Sequence, residues 1–299
     1  MVDTATFTAV DLSRLPAPAI VEPLDFETIL AQLRARLVEL VPDFDATVES
    51  DPAVKLLELC AYRELLIRAR VNDAARACMP AYAAGADLDN LAALLGVARL
   101  VLAPADPARG RPAVLESDDA LRRRMILAPE SFSVAGPSGA YIYHALTAAP
   151  EVLDASATSP APGEVLVTIL ARGGDGAAAP ALVARVADYL TAETRRPLTD
   201  HVTVRSATII PFAITASLVT YVGPDSQIVL AAARARLDAL LAEGQRLGRD
   251  LTRSALFAAL HGPGVQNVRL DAPAADLALD ATQAGFCTGV TLSHGGIAA

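Results

Sequence analysis

The sequence contains no tryptophan, and aromatic residues make up only 4% of its 299 residues. Proteins that bind single-stranded nucleic acid usually stack the bases on aromatic side chains, and this composition offers few of them. The formal net charge of −9 repels the phosphates of nucleic acids and the anionic headgroups of membranes. We therefore expect direct binding neither to nucleic acid nor to a membrane.

Cysteine and histidine are also scarce. Cys60, Cys78 and Cys287 form no CxxC pair, so we expect neither a disulfide framework nor a zinc site, and a reducing compartment is the simpler interpretation. The histidines are His144, His201, His261 and His294. They form no HxH or HxxxH pair, and each is expected near the end of a helix or strand. We predict no metal and no cofactor.

Apolar runs suited to a membrane helix are missing as well, although the mean hydropathy is +0.38. The uncharged stretch 206–224 contains Pro211 and alternates with the period of a β-strand, and the stretch 281–299 is interrupted by glycines. The N-terminal residues have neither a basic region nor a long apolar core. We therefore expect no transmembrane segment and no secretory signal.

Apolar residues make up 53% of the chain, which is enough for a substantial core. Asp25 is predicted to cap a first helix that Pro42 stops. A second helix is predicted to begin with Asp51 as its N-cap and Pro52 as its first residue, and to continue to about Met79. Its apolar residues occupy so much of its circumference that we expect it to pack against several neighbours.

The periodicity changes after residue 138, and the predicted elements follow the order α-β-β-α-β and then β-α-α-β-β. This order predicts an α+β fold with an N-terminal helical region followed by two small two-layer α+β modules. The predicted parts are an extended arm over 1–23, a bundle-forming helical region over 24–96, a linker with a connecting helix over 97–137, a first module over 138–210 and a second over 211–299.

Several element ends are predicted from single residues. Pro211 is expected to separate a strand over 202–210 from another over 212–222. Ser117 and Ser138 are expected to cap helices. The stretch 97–112 contains three prolines and is predicted to be irregular.

Motifs for catalysis fail on spacing. The GPSG segment at 136–139 lacks one residue of a nucleophile elbow, and the GGDG segment at 173–176 lacks the lysine that would hold a phosphate. The basic run Arg122-Arg123-Arg124 is expected to be solvated or paired with carboxylates. The best cluster for an enzyme is Asp200, His201 and Arg205 beside a strand start, and an exposed strand edge explains the same residues.

Six short segments together resemble the baseplate J-like family of contractile phage tails. They are ESDPAVKLLE at 49–58, RVNDAARA at 70–77, AYAAGADLDNL at 81–91, GPSGAY at 136–141, SPAPGEV at 159–165 and RPLTD at 196–200. The resemblance extends from about residue 20 to about residue 292.

The resemblance implies a structural, non-enzymatic baseplate wedge protein. In that family two J-like chains and one partner chain form a wedge whose N-terminal helices join in a bundle. C-terminal domains link the wedges into a ring around the hub, which helps to trigger sheath contraction. The implied partners are other wedge proteins and a second copy of this chain, without a small-molecule substrate. Assembly would occur in the bacterial cytoplasm, and the particle could equally be a phage or a phage-tail-like bacteriocin.

The resemblance also implies which residues contact partners, all of them apolar positions of the second helix. They are Leu56, Leu57, Leu59, Leu65, Leu66 and Ile67. Periodicity alone cannot divide such positions between an interface and the chain's own core. Two alternatives stay open: a soluble enzyme with a site between the two α+β modules, and a homomeric scaffold.

Overall fold

The computed structural model of the protein describes residues 23–44, 48–133, 136–223 and 225–298. The predicted arm over 1–23 lies outside the described residues, apart from Pro23.

The described chain forms two compact units. We call residues 23–98 and 117–122 the helical unit, and residues 99–116 with 123–298 the α+β unit. Helices together with strands in small sheets confirm the predicted α+β class. The finer division of the chain into five parts stays a prediction.

The helical unit contains α1 (Phe26–Leu40), α2 (Pro52–Ala77) and α3 (Gly85–Ala93). Both predicted caps are confirmed, because Asp25 accepts hydrogen bonds from the first turn of α1 and Asp51 accepts one from the Ala53 N–H at 2.7 Å. α1 and α2 pack against each other around a small buried core formed by Ile29, Leu30 and Ala61.

The helix α4 (Asp118–Leu127) begins after Ser117, whose hydroxyl accepts a hydrogen bond from the Ala120 N–H as predicted. Its first residues complete the helical unit. The Asp118 carboxylate accepts a hydrogen bond from the N–H of Gly85, at the start of α3, and the Arg122 guanidinium donates to the carbonyls of Pro80 and Ala83 at 2.7 Å.

Within the stretch 97–112, which was predicted to be irregular, Val101–Ala103 forms β1, so the prediction was wrong for these three residues. β1 pairs antiparallel with β2 (Val114–Leu115), which lies just after the stretch. The three prolines lie outside both strands and therefore remove no ladder hydrogen bond. Between the strands, Asp106 caps a 3-10 turn that ends at Gly110, which has the left-handed conformation that glycine adopts without strain.

The first module follows the predicted order. It consists of α5 (Ser138–Ala148), β3 (Val152–Thr158), β4 (Glu164–Ala171), α6 (Pro180–Leu190) and β5 (His201–Ser206). β4 lies between antiparallel β3 and parallel β5, and both helices pack against the sheet around Tyr141, Val167 and Val186. Ser138 is the first helical residue, and Pro137, with extended backbone, is the N-cap, so the prediction that Ser138 caps α5 was wrong.

The second module consists of β6 (Thr208–Tyr221), α7 (Ser226–Gly244), α8 (Arg253–Leu260), β7 (Val265–Ala272) and β8 (Gln283–Ala298). β6 lies between antiparallel β7 and parallel β8. One face of this sheet packs against both helices, and Leu218, Leu237 and Leu256 are completely buried between them.

The break between the strands of the two modules falls at Ala207, and β6 continues through Pro211. The predicted break at Pro211 was therefore wrong. β7 pairs with β6 between Thr215 and Thr220, whereas β8 pairs across Pro211, opposite Phe286. At Pro211, β6 is not yet paired with β7, so on the side of the strand that faces β7 the missing N–H of proline removes no hydrogen bond between strands.

Within the described ranges, the structure has no helix that is both long and apolar enough to cross a membrane.

Candidate partner interface

The predicted contact residues divide into two groups because α1 covers only one side of α2. Leu57 and Leu65 pack against the core that Ile29, Leu30 and Ala61 form between the two helices. These two predicted contacts are therefore at least partly used within the chain itself.

The other four predicted contacts lie at the surface of α2. The exposed fractions are 62% for Leu56, 56% for Leu59, 46% for Leu66 and 59% for Ile67. Scattered apolar residues are normal at a protein surface, but contiguous apolar patches mark sites of interaction. These four residues are contiguous, because spacings of three, four and seven residues place side chains on one face of a helix.

The same face of α2 carries further exposed residues, and we call the whole face the α2 stripe. Its members are Leu56, Leu59, Cys60, Arg63, Leu66, Ile67, Arg70 and Val71. The stripe extends over roughly 22 Å at the usual rise of a helix. Among these members, only Arg63 and Arg70 are charged.

Ion pairs of α2 lie at the margins of the stripe. Lys55 pairs with Glu58 at 2.9 Å, and Arg68 pairs with Glu64, four residues before it, at 2.6 Å. Within the part of the chain that the structure describes, Arg63 forms no such pair, and the same is true of Arg70. The stripe is therefore an apolar face that also carries two arginines, with the exposed carboxylate of Asp73 three residues after Arg70.

Asp200, His201 and Arg205 are the candidate active-site residues of the enzyme alternative. Asp200 accepts a hydrogen bond from the Tyr141 hydroxyl at 2.7 Å, and burial together with this hydrogen bond raises the pKa of Tyr141. His201 and Arg205 are exposed on β5, and a spacing of four residues separates them by about 13 Å along a strand. Asp200 thus holds the loop before β5 against α5, and the structure does not gather the three residues.

Protein contacts lie at the junction between the two modules, where the enzyme alternative expected its site. Asp154 is 2% exposed, binds Arg123 at 2.7 Å and accepts a hydrogen bond from the Leu247 N–H at 2.9 Å. Leu170, Ala207 and Ala284 form an apolar cluster at the same junction. These contacts hold the modules together.

The arginine run at 122–124 pairs with carboxylates, which confirms one of the two predicted outcomes. Arg122 binds Asp119 at 2.7 Å, and Arg124 binds Glu116 through two hydrogen bonds of 2.9 and 2.6 Å. The side chains of Arg124 and Glu116 are 4% and 1% exposed. Sequence analysis missed this buried pair, because the two residues lie eight positions apart, outside the helical spacings that signal contact.

Two histidines lie inside elements, so the prediction that each lies near an element end was wrong for them. His144 is in the middle of α5, where its Nδ1 is buried without a hydrogen-bond partner among the described residues. His294 lies within β8, which extends to Ala298, and its ring is 3.1 Å from the Thr220 hydroxyl. The described residues contain no group of three histidines, cysteines or carboxylates positioned to hold a metal.

Fold and surface together define an α+β protein whose helical unit exposes an apolar face. The family models for the baseplate J-like N-terminal, central and C-terminal domains match residues 49–106, 133–206 and 212–293. They match more than half of the chain, so the chain belongs to the baseplate J-like family, as the resemblance predicted. The N-terminal model covers the whole α2 stripe.

A curated relative agrees with the family models. The chain is 48% identical to baseplate protein J of Escherichia phage P2 over 296 residues, which is 96% of this chain and 98% of the relative. A cryo-EM structure of the anti-feeding prophage baseplate is also similar, with a TM-score of 0.38 and 17% identity over 61% of this chain and 44% of that chain.

Proposed function

We propose that this chain is a wedge component of a contractile-tail baseplate and that it binds partner chains through the α2 stripe. Membership of the baseplate J-like family supports a structural role in a baseplate. The observation that carries the more specific proposal is the exposure of Leu56, Leu59, Leu66 and Ile67, each between 46% and 62% exposed on one face of a long helix.

The physical argument concerns the free energy of covering this face. Burying a leucine or isoleucine side chain completely contributes about 1.5–3 kcal/mol, so four half-exposed ones contribute several kcal/mol on association. That gain must offset the loss of translational and rotational freedom, which costs at least about 4 kcal/mol. The free energy of association with a single helix would therefore be close to zero. A bundle in which two helices cover the stripe would have a favourable free energy of association.

We further propose that the wedge partners are other baseplate proteins and a second copy of this chain, and that the α+β modules link wedges into a ring. The role is mechanical and needs no catalysis. A ring that helps to trigger contraction requires contacts that differ in free energy between two arrangements. The protein would assemble in the cytoplasm and act at the baseplate of a phage or phage-tail-like particle.

A single substitution on the stripe tests this proposal. In Leu66→Asp, a carboxylate would have to be buried in the interface without a partner, which costs several kcal/mol. We expect the variant to fold but to lose the heteromeric complex when it is co-expressed with other baseplate proteins of the same particle. Affinity capture followed by native mass measurement would detect the loss.

The matched control is Leu198→Asp, because Leu198 is 90% exposed in the α+β unit and lies outside the stripe. We expect it to capture partners as the wild type does. Normal capture by Leu66→Asp would contradict the stripe as the contact surface. A wild-type chain that associates only with itself would contradict the wedge and favour the homomeric scaffold.

A further inference from the structure

The strand β8 lies at one edge of the sheet of the second module, beside β6. Its start is covered on the outer side, because Ala284 forms a bridge with Leu247. Further along, two shifts in the register with β6 enclose residues 289–294, which pair regularly with residues 213–218. We call residues 289–294 the β8 edge.

The outer side of the β8 edge faces no other strand of the described chain. Alternate residues of an edge strand direct their backbone N–H and C=O groups away from the sheet. The Val290 carbonyl accepts a long hydrogen bond of 3.5 Å from the guanidinium of Arg234, which also pairs with Asp238 at 2.8 Å. An N–H group of an added strand can replace this long contact without leaving Arg234 unpaired.

The β8 edge also lacks the residues that protect other edges. Natural sheets use charged residues and prolines at their edges to prevent pairing with further strands. The opposite edge strand of this sheet, β7, carries Arg269 and Asp271, and the edge strand β5 of the first module carries Arg205. The β8 edge contains no proline, lysine, arginine, aspartate or glutamate. It therefore has the properties of a strand that accepts another strand.

The two faces of the β8 edge differ in chemistry. Val290 and Leu292 pack against the core that β6 forms with α7 and α8. Thr291 and Ser293 lie on the other face of the sheet and are exposed. A strand that continues this sheet must therefore alternate apolar residues with residues that fit beside hydroxyl groups.

The chain itself contains such a sequence in its N-terminal arm, which lies outside the described residues. Residues 4–10 read TATFTAV, so that three threonines alternate with Ala5, Phe7 and Ala9. Threonine, phenylalanine and valine favour strands, and the period of two predicts one apolar face and one hydroxyl face. The segment carries no charge, and its seven residues match the length of the β8 edge.

We propose that residues 4–10 of a second copy of this chain bind the β8 edge as a fourth strand of the sheet. Phe7 and its neighbouring alanines extend the apolar row of Val290 and Leu292. The threonines extend the row of Thr291 and Ser293, where pairs of hydroxyl residues stabilise neighbouring strands.

The length of the arm allows it to reach a neighbouring molecule. Residues 11–25 connect the segment to α1, and in an extended conformation they span roughly 50 Å. Pro16, Pro18 and Pro23 lie in this connection and favour an extended chain.

This inference rests on the proposed function, because the proposed ring places copies of the chain side by side. Each copy gives its arm to one neighbour and accepts the arm of another at β8. Such a head-to-tail contact joins different surfaces, and it can close into a ring.

Disulfide trapping between mixed chains tests the pairing, because a disulfide requires Cβ atoms within about 4.5 Å of each other. The native cysteines are first replaced by Cys60→Ala, Cys78→Ala and Cys287→Ala. One chain then carries Thr6→Cys and the other carries Thr291→Cys. After mild oxidation we expect at least about tenfold more cross-linked pairs than in the control that replaces Thr291→Cys with Asn267→Cys, an exposed position on β7.

Thr4→Cys and Thr8→Cys repeat the trap in the neighbouring registers, because side chains two residues apart lie on the same face of a strand. If none of the three arm positions exceeds the control, the pairing is overturned. If a disulfide forms only inside a chain that carries both cysteines, and never between mixed chains, the exchange between copies is overturned.

Self-association of the full chain gives a second test. Thr6→Pro/Ala9→Pro removes N–H donors at positions of opposite parity, so at least one removed donor faces β8 in either orientation. We expect the dissociation constant between copies, measured by sedimentation equilibrium, to rise at least about tenfold. Thr291→Lys adds a charge to the edge and should have the same effect.

The controls make the same chemical changes away from the contact. Ser13→Pro/Ala17→Pro adds two prolines to the connection, and Asn267→Lys adds a charge to the β7 edge. Both should associate as the wild type does, and an unchanged far-ultraviolet circular dichroism spectrum shows that each variant folds. Unchanged association of Thr6→Pro/Ala9→Pro would overturn the inference.

The failure of this inference is distinguishable from the failure of the proposed function. If no trap forms while Leu66→Asp loses the other baseplate proteins, the wedge proposal stands and the arm exchange is overturned. If the trap forms while Leu66→Asp captures those proteins normally, the arm exchange stands and the α2 stripe is overturned as the contact surface.

Discussion

The helices α2 and α7 are similar in composition but differ in how they are buried. Both are rich in alanine, leucine and arginine. α7 lies on the sheet of the second module beside α8, and its Leu237 is completely buried. α2 has α1 along one side, and its Leu66 is 46% exposed. Because the two helices have similar residues, the difference in their burial must come from the number of neighbouring elements that the fold packs against each helix.

One ion pair from each unit gives a second contrast, although the α+β unit also has exposed pairs such as Arg234–Asp238. Arg36 and Glu39 of the helical unit lie at the surface with side chains 68% and 64% exposed, and such pairs contribute little to stability. Glu116 and Arg124 of the α+β unit are almost fully buried. The α+β unit therefore buries even a charged pair within its own core, whereas the helical unit leaves the apolar residues of the α2 stripe exposed.

Truncation of one leucine in each helix tests this comparison most directly. Leu237→Ala removes buried methyl groups and leaves a cavity, so we expect a loss of about 4 kcal/mol in the free energy of unfolding. Leu66→Ala removes groups that are already half in water, so we expect a change within about 0.5 kcal/mol in the isolated chain. Urea-induced unfolding followed by far-ultraviolet circular dichroism measures both, since tryptophan is absent.

A large loss of stability in Leu66→Ala alone would mean that the isolated chain already covers the stripe. That result would contradict the difference in burial between α2 and α7. Leu59→Ala repeats the test at a second stripe position and should also be close to neutral.

The buried ion pair gives the next largest expected effect. Glu116→Gln keeps the size of the side chain but removes the buried negative charge that Arg124 binds, which costs about 3 kcal/mol. The matched change Glu39→Gln breaks the exposed pair with Arg36 and should cost less than about 0.5 kcal/mol. Equal losses of stability in the two variants, measured by the same unfolding experiment, would contradict the contrast.

Local signals in the sequence were enough to predict the starts of α1 and α2 and the order of the elements after residue 138. Asp25 and Asp51 stand before apolar periodic segments, and a cap acts on the next two or three residues, so its effect is visible in the sequence. The apolar residues of α2 occupy more of its circumference than one neighbouring helix can cover, and the exposure of Leu56 and Leu66 agrees with that pattern. Family membership followed from short segments spread over the chain.

Features that depend on distant parts of the chain could not be predicted. Leu57 and Leu65 pack inward because of where α1 lies, and the helical pattern of α2 alone contains no such information. Pro211 is tolerated because β7 begins its pairing only at Thr215. The pair of Glu116 and Arg124 could not be predicted either. The hairpin of β1 and β2 positions Glu116 beside Arg124, and no spacing along a single helix signals this contact.

The smallest expected effect is a pH dependence that distinguishes the two α+β modules. His144 lies within the packed helix of the first module, whereas His294 lies on β8 with the Thr220 hydroxyl beside it. Burial, together with the charge of Arg195, lowers the pKa of His144 below its ordinary value. The folded chain therefore keeps this imidazole neutral at a pH where the unfolded chain protonates it.

The unfolded state thus binds more protons, and stability must decrease as the pH falls through the ordinary histidine pKa of about 6.5. His144→Leu removes this group, so the free energy of unfolding should change less between about pH 7.5 and pH 5.5 than in the wild type. His294→Leu is the control for replacing a histidine of the second module. If His144→Leu loses as much stability over this interval as the wild type, the buried imidazole is not its source, and the first module tolerates a charge in its interior.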